Sequence, residues 1–179
     1  SANVLNYFSG IDNGQPTCGP LGTDGCRGAD SVAEHKRQVA KTSAALATMA
    51  ADIVGLIELE NNASASISAL VDALNNRVGA NQYAFVDTGS IGNDAIKLKL
   101  SGRFALLDKT VDSRFDDSRS RPALAQTFEV QNSGARLTVI VNHLKSKGSS
   151  CDADGDPNTG DGQGNCNITR RNAAAAIAD

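Results

Sequence analysis

Two apolar segments of the chain each end in a side chain that can do chemistry. The run Leu137–Val141 is followed by Asn142 and His143, and the run Asp52–Ile57 is followed by Glu58. Ligands usually bind beyond the ends of strands in open α/β sheets, so both residues stand where a site is expected. An imidazole exchanges protons near neutral pH, and a carboxylate is an oxygen ligand of the kind that Mg²⁺ or Ca²⁺ prefers.

Each of these residues also has a structural interpretation. A lone histidine after a strand is about as often a structural residue, with its hydrogen bonds satisfied, as a functional one. A glutamate at a strand end can simply reach solvent. Asn6, in the first apolar run, could contact a metal or a phosphate oxygen through its amide, although a single asparagine is a weak signal. A carboxylate at the end of an apolar strand is costly to bury unless it is paired or bound to a metal.

A basic stretch lies in the second half of the sequence. Residues 97–121 contain seven Lys and Arg residues against four Asp, whereas the whole chain has a net charge of −3. Arg121 precedes an apolar run, and its guanidinium fork suits phosphate. The alternative is that most of this stretch is a solvated charged loop.

An acidic loop follows the His143 segment. It resembles a calcium-binding loop, but Pro157 stands where the EF-hand requires Gly, and Gln163 stands where Glu is usual. The alternative is an acidic surface loop closed by a disulfide. The four candidate calcium ligands are Asp152, Asp154, Asp156 and Asp161.

The cysteine pattern indicates an oxidising compartment. Cys18 and Cys26 bracket one polar loop, and Cys151 and Cys166 bracket another. Four cysteines permit three pairings, of which local pairing within each loop is the simplest. Neither pair has zinc-type spacing, so we expect two disulfides and a secreted, extracellular or periplasmic protein. No apolar run approaches the ~20 residues of a membrane span, so no membrane partner is expected.

Composition and periodicity predict one mixed α/β domain over residues 1–179. Forty per cent of the 179 residues are hydrophobic, which suffices for a sizeable core, and no linker or repeat divides them. Two strand–helix units followed by consecutive strands predict a mixed sheet with helices packed against it. The predicted strands are 3–8, 52–58, 83–87, 95–100, 104–107, 123–130 and 136–142. The predicted helices run from a capping box at Ser31–Glu34 to about Ala51, from Ile67 to Val78 before Gly79, and onward from Asn167 or Thr169.

Eight segments occur in a recognisable order along nearly the whole sequence: Val4–Phe8, Cys18–Pro20, Cys26–Asp30, Asp52–Asn61, Asp94–Lys97, Arg121–Phe128, Asn142–Gly148 and Cys151–Cys166. Together they resemble the endonuclease/exonuclease/phosphatase superfamily, most closely its secreted bacterial extracellular nucleases. The resemblance implies the DNase I-like fold, a mixed-sheet β-sandwich with flanking helices. Each segment alone is a weak signal, and the specificity lies in the ordered set.

The resemblance implies a role for each matching residue. Glu58 would bind the catalytic divalent metal, Mg²⁺ or Mn²⁺, with Asn6 beside it. Arg121 and the Asn142 position would contact substrate, and His143 would hydrogen-bond or protonate the scissile phosphate. The implied activity is metal-dependent hydrolysis of phosphodiester bonds in DNA, or RNA as well, with metal and imidazole stabilising charge in the transition state.

The sequence departs from the family pattern in two places. It lacks a Gly-Asp-Leu-Asn motif and a later Ser-Asp-His motif, and several residues are missing after Lys97. About two-thirds of such a domain is therefore expected, with core surface left for self-association or for a further C-terminal segment. The rival functions are a phosphatase or phosphodiesterase of the same superfamily, and a non-catalytic fragment that binds Ca²⁺ and nucleic acid.

Overall fold

The strands and helices of the computed structural model form a mixed α/β structure, as predicted. The structure describes residues 1–94, 96–102, 105–112, 119–130 and 133–178. For residues 96–102 and 105–112 it describes the backbone but not the side chains. The strands are β1 Ala2–Tyr7, β2 Ile53–Glu60, β3 Ala84–Phe85, β4 Ile96–Gly102, β5 Ala105–Asp112, β6 Ala123–Glu129 and β7 Arg136–Val141. The α-helices are α1 Val32–Met49, α2 Ala65–Val78 and α3 Asn167–Ala178, and a 3-10 helix spans Asp152–Asp154. Within these described ranges, no helix is long and apolar enough to cross a membrane.

Local signals explain where the first two helices begin and end. Ser31 is the N-cap of α1, and its hydroxyl accepts a hydrogen bond from the Glu34 backbone N–H at 3.3 Å. The Glu34 carboxylate accepts from the backbone N–H of Asp30 at 3.2 Å, one residue before the position that a capping box uses. Gly79 ends α2, where its N–H donates to the Asn75 carbonyl at 2.9 Å.

The first sheet, with strand order β1-β2-β4-β3, carries the larger core. β1 and β2 are parallel and are connected through α1, whereas β4 pairs antiparallel with both β2 and β3. The two helices α1 and α2 bury apolar side chains against this sheet. The buried residues of this core are Val4, Tyr7, Leu46, Val54, Leu56, Leu59, Ile67, Leu70, Val71, Leu74 and Tyr83.

The second sheet, with strand order β5-β6-β7, is antiparallel and packs against β2 from the other side. Gly55 of β2 permits this packing, because a Cβ at that position would lie 2.8 Å from a methyl group of Val141. The described side chains of the core between the sheets are Val86, Leu124, Phe128 and Val141, with Ile53, Ile57 and Val139 beside them. An open apolar groove of about 440 Å³ remains between β7 and β2. Two β7 side chains there, Leu137 and Ile140, are 59% and 50% exposed.

β2 does not end at Glu58, and the prediction that it does is wrong. Val54 and Leu56 face the helices, and Ile57 faces the second sheet. Strict alternation would turn Leu59 toward the second sheet as well, yet Leu59 is buried under the helices. The alternation shifts by one residue at Glu58, where the strand pairing is irregular, and β2 then continues to Glu60.

The predicted strand at 83–87 is reduced to Ala84–Phe85. Side-chain contacts hold its start: the Tyr83 hydroxyl donates to the Ala51 carbonyl at 2.7 Å, and the Asn75 side chain accepts from the Tyr83 backbone N–H at 2.8 Å. The predicted strand at 104–107 begins outside the described residues and is found as β5 from Ala105 onward.

Two disulfides close polar loops at opposite ends of the chain. Cys18 is joined to Cys26 and Cys151 to Cys166, which are the local pairs that the sequence favours. The first disulfide packs against Phe8, which directly follows β1. The second closes the acidic loop between β7 and α3.

Candidate functional site

Glu58 and Asn6 both lie in an irregularity that β1 and β2 share. Asn3 pairs with Ile57 and Tyr7 pairs with Leu59, so three residues of β1 stand opposite Glu58 alone. Three of the residues in this bulge have left-handed backbone conformations: Leu5 at φ 53°, Asn6 at φ 52° and Glu58 at φ 63°. Such conformations cost about 1–2 kcal/mol each for non-glycine residues and tend to persist where function requires them.

Neighbouring groups hold the β1 side of this bulge in place. The Asn3 side chain accepts a hydrogen bond from the Leu5 N–H at 2.8 Å. The Gln38 amide, from α1, donates to the carbonyl of Leu5 at 3.3 Å and to that of Asn6 at 3.4 Å. Gly28 lies so close to the Asn6 carbonyl oxygen that a Cβ on it would overlap that atom. The strained backbone around Asn6 is therefore fixed from three directions.

His143 and Arg121 come from the second sheet, at the paired ends of β7 and β6. The Arg121 backbone N–H donates to the His143 carbonyl at 3.2 Å, and the Lys145 N–H donates to the Ser120 hydroxyl at 3.2 Å. These bonds continue the antiparallel pairing beyond the strands. They place the two candidate side chains on adjacent backbone segments.

The Glu58 and His143 side chains meet where the two sheets adjoin. Nε2 of His143 lies 3.8 Å from Oε1 of Glu58, and the side chains are only 16% and 21% exposed. Burial lowers the pKa of His143 and the Arg121 charge lowers it further, whereas Glu58 and Asp94 act to raise it; the net effect is a lowered pKa. The imidazole is therefore neutral at neutral pH, with one nitrogen able to donate and the other to accept.

Asp94 holds Arg121 and was given no role by the sequence. An Nη2–Oδ2 contact of 2.9 Å joins Arg121 to Asp94, and the Arg121 side chain is 16% exposed. The Nε of Arg121 is buried, and among the described residues it has no hydrogen-bond partner. The other carboxylate oxygen of Asp94 lies 3.6 Å from Nη1 of Arg27.

Asn61 positions the Asp94 loop and was likewise missed. This fully buried side chain donates to the carbonyls of Ile91 at 2.9 Å, Gly92 at 3.3 Å and Asp94 at 2.9 Å. Its carbonyl oxygen accepts from the Ile91 N–H at 3.1 Å. The only signal in the sequence was a polar residue directly after an apolar strand, and nothing in it indicated the distant partner.

The remaining predicted substrate residue lies elsewhere. Asn142 is exposed and lines the apolar groove beside Val141 and Leu137. The structure thus brings together Glu58, His143 and Arg121 but turns Asn142 to the groove. Of the basic stretch 97–121, only Arg119, Ser120 and Arg121 have described side chains, and the other predicted basic residues lie outside that description.

The calcium site predicted in the acidic loop stays a prediction, and the structure gives its carboxylates other contacts. Asp154 is paired with Arg119 at 2.7 Å, and Asp161 accepts a hydrogen bond from the Gln163 N–H at 2.9 Å within its own turn. Asp152 is exposed. Across the parts of the chain that the structure describes, no group of three or more His, Cys, Asp and Glu side chains is arranged to hold a metal ion.

Asp156 has a structural role instead. Its carboxylate accepts from the backbone N–H groups of Ile168 at 3.0 Å and Thr169 at 2.8 Å, so it caps α3 from outside the helix. The predicted cap at Asn167 or Thr169 is wrong. Burial opposes ionisation of Asp156, but the hydrogen bonds from Thr169 and Ile168 and the nearby Arg170 charge outweigh it and lower its pKa.

No family model matches the chain, and no curated protein sequence matches it. Among solved structures, the crystal structure of a humanized D. rerio TDP2 carrying 14 mutations is similar, with a TM-score of 0.42 and 19% sequence identity. The match covers 62% of this chain and 45% of that one, so it spans less than half of the TDP2 structure. A likeness at this TM-score and identity assigns neither a family nor a function to the chain.

Proposed function

We propose that this chain carries the phosphate-binding part of a divalent-metal-dependent phosphodiester hydrolase that acts on DNA, within a single DNase I-like domain. The observation that carries the proposal is the meeting of Glu58, His143 and Arg121 at the junction of the two sheets. A carboxylate, a neutral imidazole and a largely buried arginine are the groups that phosphoryl chemistry needs side by side.

Arg121 is suited to bind the substrate phosphate. Its guanidinium is held by Asp94 through one nitrogen, and its buried Nε has no acceptor among the described residues. A buried donor without a partner is costly, and a phosphate oxygen would satisfy it. Substrate binding would therefore complete the hydrogen bonding of this side chain.

Glu58 and Asn6 fit a Mg²⁺ or Mn²⁺ ion in the chemistry of their donors. Mg²⁺ is usually held by one or two carboxylates together with water and substrate phosphate, so a single glutamate beside an amide oxygen is a suitable donor set. The strand register supports this assignment, because Asn6 belongs to the β1 bulge that stands opposite Glu58. When bound there, the metal would neutralise charge on the phosphate and lower the pKa of a bound water.

His143 is suited to hydrogen-bond the phosphate or to move a proton at it. Its Nε2 lies 3.8 Å from the Glu58 carboxylate. Because the pKa of His143 is lowered, the neutral ring can donate a hydrogen bond through one nitrogen and accept a proton at the other.

The location and the partners belong to the same proposal. Two disulfides favour a secreted or periplasmic protein, since such bonds persist in oxidising compartments. The open groove beside Leu137 and Ile140 is an apolar surface of the kind that a second copy or a further segment of the protein would cover.

Nicking of supercoiled plasmid tests the proposal. The wild-type chain is incubated with Mg²⁺ and Ca²⁺, with Mn²⁺, and with EDTA, beside the variants Glu58→Gln and His143→Asn. We expect metal-dependent nicking that each variant reduces by roughly a hundredfold or more. Glu129→Gln is the matched control, because it removes a half-buried carboxylate of β6 that pairs with Arg136 at 3.1 Å in the contacts described for it.

The outcomes separate the proposal from its rivals. Nicking that survives both substitutions in folded protein would contradict the assigned site. Release of phosphate from p-nitrophenyl phosphate without nicking would favour the phosphatase. Salt-sensitive DNA binding with no cleavage under any metal would favour the non-catalytic binding fragment.

A further inference from the structure

Arg27 has a fixed backbone and an exposed side chain. It directly follows Cys26, whose disulfide to Cys18 packs on Phe8 at the end of β1. It directly precedes Gly28, which is pressed against the Asn6 carbonyl oxygen. Ala29 beyond it is buried, and its carbonyl accepts from the Asp12 N–H at 2.8 Å. The loop is therefore anchored on both sides of Arg27, next to the residues that form the candidate metal site.

The Arg27 side chain extends toward the rest of the site. Nη1 lies 3.6 Å from one oxygen of Asp94, while Arg121 occupies the other oxygen at 2.9 Å. One carboxylate thus faces two guanidinium groups, and the three side chains together carry a net positive charge. Their depths differ, because Arg27 is 46% exposed and Arg121 is 16% exposed.

This arrangement differs from an ordinary surface ion pair. An isolated exposed pair is worth about 0–1 kcal/mol and needs no anchored backbone. Here the carboxylate itself is positioned, because the fully buried Asn61 bonds the Asp94 carbonyl at 2.9 Å. Two loops from different parts of the chain are each fixed so that their charges meet beside His143.

We propose that Arg27 and Arg121, bridged by Asp94, bind successive phosphates of one nucleic-acid strand. Arg121 takes the phosphate at His143 and Glu58, and Arg27 takes a neighbouring phosphate where the strand leaves the site. This inference rests on the proposed function and extends it: it assigns a phosphate-binding residue in the first disulfide loop and favours a polynucleotide over a small phosphate ester.

Binding of a fluorescein-labelled DNA duplex, measured by anisotropy in EDTA over a range of salt concentrations, tests the inference without cleavage. Each lost phosphate contact reduces the slope of log K against log salt by about 0.9, which corresponds to roughly a tenfold loss of affinity near 0.1 M salt. We expect both changes for Arg27→Ala. Arg27→Lys should keep the slope, since it keeps the charge, and lose only part of the affinity.

Arg136→Ala is the matched control. Arg136 is also an exposed arginine paired with one carboxylate, at 3.1 Å from Glu129, but it lies at the end of β7 away from His143. It should leave both affinity and slope unchanged. Inorganic phosphate serves as a second probe, because a single phosphate should lose affinity in Arg121→Ala and bind Arg27→Ala as it binds the wild type.

The outcomes are distinguishable. A wild-type chain that binds no DNA at low salt overturns the proposed function together with this inference. DNA binding that Arg121→Ala weakens and Arg27→Ala does not overturns this inference alone, and Arg27 is then a surface ion pair only. An equal loss in Arg136→Ala would show a general charge effect and would also overturn it.

Discussion

The two sheets contribute equally to the candidate site but hold their residues by different means. The first sheet supplies Asn6 and Glu58 from bulged strands, and the β1 bulge is fixed by hydrogen bonds with Asn3 and Gln38 and by the close approach of Gly28. The second supplies Arg121 and His143 from strand ends, where a backbone hydrogen bond joins the two residues and an ion pair with Asp94 holds Arg121.

The comparison shows what each pair of candidate site residues requires from the structure around it. A strained backbone needs a well-packed surrounding, because the free energy that favours relaxation must be opposed by burial. Arg121 and His143 are not among the described residues with a left-handed backbone, so their backbone bears no such strain. What they require is a fixed position, which the Asp94 ion pair gives to Arg121 and the backbone hydrogen bond gives to both. We therefore expect substitutions in the first sheet to have the larger effect on the free energy of global unfolding. Substitutions around the second sheet should mainly change local unfolding, as measured by hydrogen exchange.

The largest expected effect comes from truncating a leucine in each core. Leu70→Ala removes a fully buried side chain of α2 and should lower the free energy of unfolding by roughly 2–5 kcal/mol. Leu137→Ala removes the same atoms from a side chain that is 59% exposed and should change it by less than about 0.5 kcal/mol. Urea unfolding measures both. Equal losses would show that β7 is covered in solution.

The next effect comes from opening the second disulfide loop with Cys151→Ser and Cys166→Ser together. Loop-closure entropy for a separation of 15 residues predicts a loss of about 3 kcal/mol. Hydrogen exchange should rise at 143–148 and 119–121, because Asn165 bonds the Lys147 carbonyl and Asp154 pairs with Arg119. The control is Cys18→Ser with Cys26→Ser, which should raise exchange near Phe8 instead.

A smaller effect distinguishes a fully buried from a half-buried carboxylate. Glu60, which is 3% exposed, accepts hydrogen bonds from four donors: the Ser9 N–H, the Ser9 hydroxyl, the Asn62 amide and the Ser66 hydroxyl. Glu60→Gln turns a donor group toward these donors and should cost about 1–3 kcal/mol. Glu129→Gln in the second sheet should cost less than about 1 kcal/mol. Thermal unfolding compares them, and equal costs would refute the distinction.

The smallest effect is confined to α3 and depends on pH. Because the pKa of Asp156 is lowered in the folded state, its stabilising contribution is present above the usual value of 3.8 and is lost as the pH falls through the lower folded pKa. The protection factors of the α3 amides, which correct for the intrinsic exchange rates, should therefore fall between about pH 5 and about pH 2. In Asp156→Asn this fall should be much smaller, and an unchanged pH dependence would count against the cap.

The sequence predicted what short-range rules determine. The apolar periodicity placed α1 and α2, Ser31 and Gly79 marked helix ends, and two strand ends pointed to Glu58 and His143, which do meet. It could not reveal the bulge at Glu58, because the shift in alternation becomes visible only once Leu59 is seen to lie under the helices.

The residues that the sequence missed depend on distant partners. Asn61 acts on a loop about 30 residues away, and Asp156 caps a helix that begins 11 residues later. Each is a polar side chain with many conceivable partners, and only the folded backbone selects one. Asp154 was predicted to bind a cation together with Asp156. In the fold it pairs with Arg119 at 2.7 Å, a partner that the sequence did not indicate.

The left-handed residues at positions 5, 6 and 58 have a consequence for protein design. Glycine adopts such backbone conformations without the cost that leucine, asparagine and glutamate bear. A sequence optimised for stability on this backbone would therefore replace all three, and the replacement at position 58 would remove the carboxylate that faces His143. Seven non-glycine residues of the described chain have a positive φ, and these three are the ones that share a single bulge at the candidate site.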